Sequence, residues 1–119
     1  MGIRVGSIVL NCADLEAMTA FWVGALGLQP GPVVDGGTFR VLRGERVNLS
    51  LQVAATPVSA RDQTHLDLYT DDQPAEVGRL RALGAGFVRH HEDPDDDYVV
   101  LTDPEGNEFC VCAVPPSSM

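Results

Sequence analysis

A repeat running the length of the chain limits what this sequence can fold into. Asp14 and Asp72 stand 58 residues apart, and the same spacing separates Val41 from Val99 and Leu51 from Phe109. Each Asp precedes a stripe of apolar residues at helical spacing, and each stripe is followed by strand-like segments. One offset shared by a helix cap and two strands indicates an internal duplication, carried by pattern rather than identity.

The first copy opens with an apolar strand, Val5 to Cys12. Asp14 suits an N-cap. Leu15, Met18, Phe21, Trp22, Ala25 and Leu26 then fall on one helical face, and Gly27 ends the helix. Phe39–Leu42 and Val47–Val53 follow as strands around the turn Arg43-Gly44-Glu45-Arg46. The second copy opens with the strand Thr64–Thr70 and the cap Asp72, with Pro74 in the first turn, where its missing N–H costs little. Val77, Leu80 and Leu83 form the second stripe, and Gly84 closes it. The strands Tyr98–Leu101 and Glu108–Val114 flank the turn Asp103-Pro104-Glu105-Gly106-Asn107, in which Gly and Asn adopt positive φ readily.

The expected fold is therefore α+β: two βαβββ modules, residues 3–54 and 63–114, joined by a linker at 55–62, in one 119-residue domain. Each module gives a curved mixed sheet with a helix on its convex side, and the pair forms a cup. Strand alternation fits this. Val47, Leu49, Leu51 and Val53 oppose Asn48, Ser50 and Gln52, while Leu66 and Leu68 oppose His65, Asp67 and Tyr69. An ordinary solvated sheet face would alternate in the same way.

Charge narrows the partners. A formal net charge of −9 disfavours nucleic acid, whose binding depends on Lys and Arg neutralising phosphates, and disfavours an anionic membrane surface. Met1 to Ile8 shows no signal-peptide pattern, and no apolar run approaches the roughly 20 residues that span a bilayer. These features predict a cytoplasmic protein. Cys12, Cys110 and Cys112 make no even disulfide framework and are expected to be reduced.

The stretch Ile8-Val9-Leu10-Asn11-Cys12-Ala13-Asp14-Leu15-Glu16, followed by Phe21-Trp22 and Leu26-Gly27-Leu28, resembles the opening of a vicinal oxygen chelate domain. This is the group of glyoxalases, bleomycin-resistance proteins and extradiol dioxygenases. The closing Val100-Leu101-Thr102-Asp103-Pro104-Glu105-Gly106-Asn107-Glu108-Phe109 is similar to that group's final turn and strand. The resemblance runs from Val5 to Val114. It implies four strand positions that hold a divalent ion in metal-dependent members, typically as His, Glu, His and Glu. Those positions map onto Ser7, Gln52, His65 and Cys110, again two pairs 58 residues apart. Only His65 is a usual ligand. Glu108 lies two residues from Cys110 on the same face, nearer the cup's rim.

One imidazole and one thiol among weak neutral donors make a poor open metal site. The sequence thus predicts no metal and no cofactor. His65 suits proton transfer, with Asp67 on the same face to orient it. Cys110 reads better as a small apolar filler than as a nucleophile. His90-His91 with Glu92, Asp93, Pro94, Asp95, Asp96 and Asp97 is expected to be a solvated acidic loop between the second helix and Tyr98. Trp22, Phe39, Tyr69 and Tyr98 are wall candidates for a pocket, although Trp22 also falls in the helix stripe. Ser7, Gln52, His65, Asp67, Tyr98, Glu108 and Cys110 form the expected ligand-binding set.

The leading functional expectation is a small-molecule binding protein of the glyoxalase/bleomycin-resistance type, acting as a homodimer as related proteins do, with His65 on the cup floor. The rival is a lyase, isomerase or dioxygenase-type enzyme using His65 as base or as an atypical metal ligand.

Overall fold

The computed structural model describes residues 5–54 and 65–118. The chain divides into two compact units, residues 1–58 and 59–119. The expected linker, 55–62, lies outside the described residues.

In the first unit the order is β1 (Ser7–Cys12), α1 (Leu15–Leu26), β2 (Gln29–Val34), β3 (Phe39–Arg43) and β4 (Asn48–Val53). The sheet order is β1-β4-β3-β2, with β1 parallel to β4 and the other pairs antiparallel. The parallel pair exists because α1 carries the chain back across the sheet before β4 is reached. Asp14 caps α1 by accepting the Ala17 N–H at 3.0 Å, and Gly27 ends it at φ 66°. Met18, Phe21, Trp22 and Ala25 are buried. They form one apolar layer with Leu42, Leu49 and Leu51 of the sheet. Leu26, expected in the same stripe, is exposed.

Strand β2 carries the sequence Gln29-Pro30-Gly31-Pro32-Val33-Val34, whose prolines argue against a strand. It forms because it lies at the sheet edge, where a missing N–H costs no ladder bond. Its register slips between Pro30 and Val33. Arg40 Nε donates to the Gly31 carbonyl there at 2.7 Å.

The second unit runs β5 (Leu66–Thr70), α2 (Gln73–Ala82), β6 (Gly86–Asp93), β7 (Asp96–Thr102) and β8 (Glu108–Ala113), with a short 3-10 turn at Pro116–Ser118. The sheet order is β5-β8-β7-β6, and β5 is parallel to β8. Asp72 caps α2 by accepting the Ala75 N–H at 3.3 Å. Of the expected stripe, Leu80 is buried, Val77 is half-buried and Leu83 is exposed. Gln73 helps instead. Its buried amide donates to the Val111 carbonyl at 2.9 Å and ties the helix start to β8.

The acidic segment after α2 is a strand hairpin and not a loop. Strands β6 and β7 meet at Pro94-Asp95, with Glu92 opposite Asp97 and Asp93 opposite Asp96. Like charges directly across a ladder destabilise it. The histidines offset this. His90 Nε2 lies 2.7 Å from Asp97 Oδ1, and His91 Nε2 lies 2.9 Å from Asp93 Oδ2. These contacts hold the Asp97 and Asp93 carboxyls below the usual carboxylate value. For Asp97 the His90 hydrogen bond is the leading cause, and for Asp93 the backbone N–H of Asp95 precedes the His91 bond.

The strand registers correct the single offset. Ile8 opposite Leu49 corresponds to Leu66 opposite Phe109. Strand β5 thus follows β1 by 58 residues, but β8 follows β4 by 60. The pair Phe39–Gln52 matches Tyr98–Cys112, which puts β7 at an offset of 59 from β3. One of the added residues is in the turn before the last strand: residues 44–47 in the first unit, residues 103–107 in the second.

That longer turn is organised by Asp103, which is only 2% exposed. Its Oδ1 accepts the N–H groups of Glu105 and Asn107 at 2.9 and 3.0 Å, and its Oδ2 accepts Asn107 Nδ2 at 2.7 Å. Gly106 sits at φ 87°. Asp103→Ala is expected to lower unfolding stability by about 3 kcal/mol, because it strands these donors inside the turn. Urea unfolding measures it, and a loss under about 0.5 kcal/mol would show that the turn holds without the carboxylate.

Candidate functional site

In each sheet one face meets the helix; the helix-free face of the second sheet, its open face, is exposed along β5 and buried at Val100 of β7. Alternation along β5 puts His65, Asp67 and Tyr69 on the open face of the second sheet. The register adds Glu108, Cys110 and Cys112 from β8, Tyr98, Val100 and Thr102 from β7, and Arg89 and His91 from β6.

His65 precedes β5, and its Nε2 lies 3.2 Å from Asp67 Oδ1. Both side chains are open to solvent, at 59% and 51% exposure. Asp67 stands directly opposite Cys110. Burial pushes the Cys110 thiol up and the Asp67 charge adds to that, while Arg89 pulls it down. The ligand-type atoms of His65, Asp67 and Cys110 all lie within 4.8 Å of one another. Glu108 is exposed at the start of β8, opposite Thr102. Tyr98 is half-buried and stacks on His91, with centroids 4.8 Å apart and planes at 19°.

In the first unit, Ser7 Oγ lies 2.6 Å from Ser50 Oγ, and Ser50 is buried. Gln52 is exposed at the far end of β4, opposite Asn11 and Phe39. Ser7 and Gln52 are therefore not neighbours in the ladder, although the resemblance maps both to ligand positions. Counted by register, the residue equivalent to Cys110 is Ser50. Trp22 is buried in the helix layer and lines no open face. Sequence reasoning missed Ser50, Arg89 and His91. Period-two alternation through residues 86–93 was the available signal for the last two.

His90, Glu92 and Asp97 gather on the other face of the hairpin, their ligand-type atoms also within 4.8 Å. His90 is exposed and Asp97 half-buried.

The metal implied by the resemblance can be tested against these residues. By register the four positions hold Ser7, Ser50, His65 and Cys110. Two are neutral hydroxyls bonded to each other. The thiol is biased toward its protonated form, and binding an ion requires its proton to leave. Asp67 adds a third donor beside His65 and Cys110, but from outside the four positions. The set does not fit the four-residue divalent centre.

Residues 7–112 match the family model described as a glyoxalase-like domain. No curated protein matches the chain. Among solved structures, it is similar to a genomically encoded fosfomycin resistance protein from Listeria monocytogenes, complexed with Mn(II) and 1S,2S-dihydroxypropylphosphonic acid. That likeness has TM-score 0.79 and 15% identity over 98% of this chain and 94% of the other. A lactoylglutathione lyase from Agrobacterium tumefaciens aligns at TM-score 0.68 and 25% identity over 92% of each chain. A glyoxalase/bleomycin resistance protein/dioxygenase family enzyme from Burkholderia phytofirmans aligns at 0.71 and 20%, over 90% of this chain and 95% of the other. These likenesses carry the α+β fold of two βαβββ modules.

Proposed function

The chain belongs to the glyoxalase-like domain family, within the vicinal oxygen chelate superfamily, and from that premise we propose that it binds a small molecule on the open face of its second sheet, without the four-residue metal centre. The observation that carries this reading is the solvent-open His65–Asp67 pair beside Cys110. An imidazole offers a ligand both a donor and an acceptor, and Asp67 fixes which ring nitrogen does which. Tyr98 and Tyr69 supply aromatic surface on the same face, and Glu108 a further carboxylate.

Mass spectrometry of the native protein identifies what co-purifies. His65→Ala, with its fold checked by circular dichroism, is expected to weaken binding of that molecule roughly threefold to tenfold, the net cost of one lost hydrogen bond at a solvent-open site. Unchanged affinity in a folded variant would remove His65 from the site. Calorimetric titration with nickel, zinc, manganese and Fe(II) is expected to show no site tighter than about micromolar. A tighter one would overturn the metal-free reading.

A second reading is favoured by the same 3.2 Å contact. A carboxylate beside an imidazole can orient it as a general base for a lyase or isomerase reaction. Under that reading His65→Asn abolishes solvent deuterium exchange at a carbon of the bound molecule and leaves its binding nearly intact.

The protein is further expected to work as a cytoplasmic homodimer. The edge strands β2 and β6 expose Val33, Val34, Phe87 and Val88, and apolar sheet edges favour pairing with another copy. A monomer in sedimentation at high micromolar concentration would refute the dimer. No helix among the described residues is long and apolar enough to cross a membrane.

A further inference from the structure

One ladder row on the open face of the second sheet is almost wholly aromatic. Tyr69 stands opposite Cys112, Cys112 opposite Tyr98, and Tyr98 opposite His91. The row crosses all four strands and spans about 14 Å, three strand spacings. His91 and Tyr98 are already stacked at 4.8 Å. Tyr69 at the other end is 56% exposed, so it is not serving a core. Cys112 between them is half-buried.

Carboxylates border the row on both sides. Two residues along each strand on the same face, Asp67 lies beside Tyr69, Asp96 beside Tyr98 and Asp93 beside His91. The negative potential reaches the middle of the row: after burial, the Asp67 charge, Cys110 and then Asp96 raise the Cys112 thiol. Arg89 is the cation of this face, one row away opposite Val100. An aromatic face attracts a cation through its quadrupole, and flanking carboxylates repel an anion of the same shape.

We propose that this row is a stacking platform for a planar organic cation, an N-alkylated or protonated heteroaromatic, with its ring against Tyr69 and Tyr98 and its charge between the carboxylates that flank the row. The proposal rests on the reading that the open face of the second sheet is the ligand site, and it names the class of ligand.

Three probes of one shape and different charge test it on the full chain at pH 8: N-methylquinolinium, quinoline and 2-naphthalenesulfonate. Calorimetry gives the affinities and amide NMR shifts give the location. N-methylquinolinium is expected to bind about tenfold tighter than quinoline, the scale of a desolvated cation–π contact. It is expected to shift residues 69, 91, 98 and 112, and 2-naphthalenesulfonate to shift none of them. Tyr69→Leu, at an exposed position, is expected to weaken N-methylquinolinium about tenfold. Equal affinity for all three probes, or an inert Tyr69→Leu, with shifts centred on His65 and Asp67, would overturn the platform and leave the binding face standing. Shifts confined to other parts of the chain, or none with any probe, would overturn the platform, while the binding face itself stands or falls on the His65→Ala test.

Discussion

Trp22→Ala is expected to destabilise the first unit by about 3–5 kcal/mol, the usual cost of emptying an aromatic site in a packed layer. Trp22 is 1% exposed. It meets Phe21 edge-to-face, with centroids 5.1 Å apart and planes at 90°. The alanine variant loses the apolar area and that ring contact, and leaves a void in the buried helix layer. Trp22→Phe refills part of the space and should recover much of the loss. Since this is the chain's one tryptophan, the variants are followed by circular dichroism in denaturant. A loss below about 1 kcal/mol would show that the layer collapses onto the gap.

The second large effect is on thiol chemistry. The Cys112 thiol is pushed up to about 11, first by burial, then by the Asp67 charge, Cys110 and Asp96. The thiolate is the reactive form. At pH 8, a shift from the ordinary 9.0 to about 11 leaves roughly a hundredfold less thiolate. Alkylation of Cys112 by iodoacetamide in the folded protein should be slower than in the unfolded chain by about that factor. The rate should climb with pH until about 11. Asp67→Asn should speed both Cys110 and Cys112, because the Asp67 charge raises both thiols. A half-maximal rate near pH 9 in the folded protein would contradict this electrostatic account. The same bias leaves Cys110 poorly suited to act as a nucleophile.

Much of the architecture was legible because its signals are local. Asp14 and Asp72 announce helix starts by their own side-chain chemistry, and Gly27 announces an end by its left-handed φ. Strands with alternating apolar residues, such as β4 and β8, follow from the period alone. Strand β2 was not legible, because its prolines are tolerated only at an edge, and edge position depends on the whole sheet. Strand β6 was hidden by composition. His90 to Asp97 is too acidic to look like a ladder until each imidazole is placed beside its carboxylate. The site was half legible. His65, Asp67 and Cys110 come together because adjacent parallel strands carry them. The resemblance points to Gln52 beside Ser7, whereas the register and the Ser7–Ser50 contact put Ser50 there, because the two halves differ in turn length. Nothing in the sequence marks where a duplicated half gained a residue. Arg89 acts on Cys110 from the row across Val100, a relation that exists only in the register.

The extra residues of the second half lie between strands or in their irregular pairings, and the pleat of the last strand keeps its phase. A single insertion within a paired strand would have turned every following side chain to the other face. Equivalent positions in the two halves therefore have fixed addresses when counted through hydrogen-bonded partners: Ser7 for His65, Val9 for Asp67 and Ser50 for Cys110. The first half is thus a blank copy of the second half's chemistry. Transplanting the trio as Ser7→His, Val9→Asp and Ser50→Cys would ask whether a backbone laid down twice can carry the same constellation twice, or whether the surrounding side chains have drifted too far to accept it.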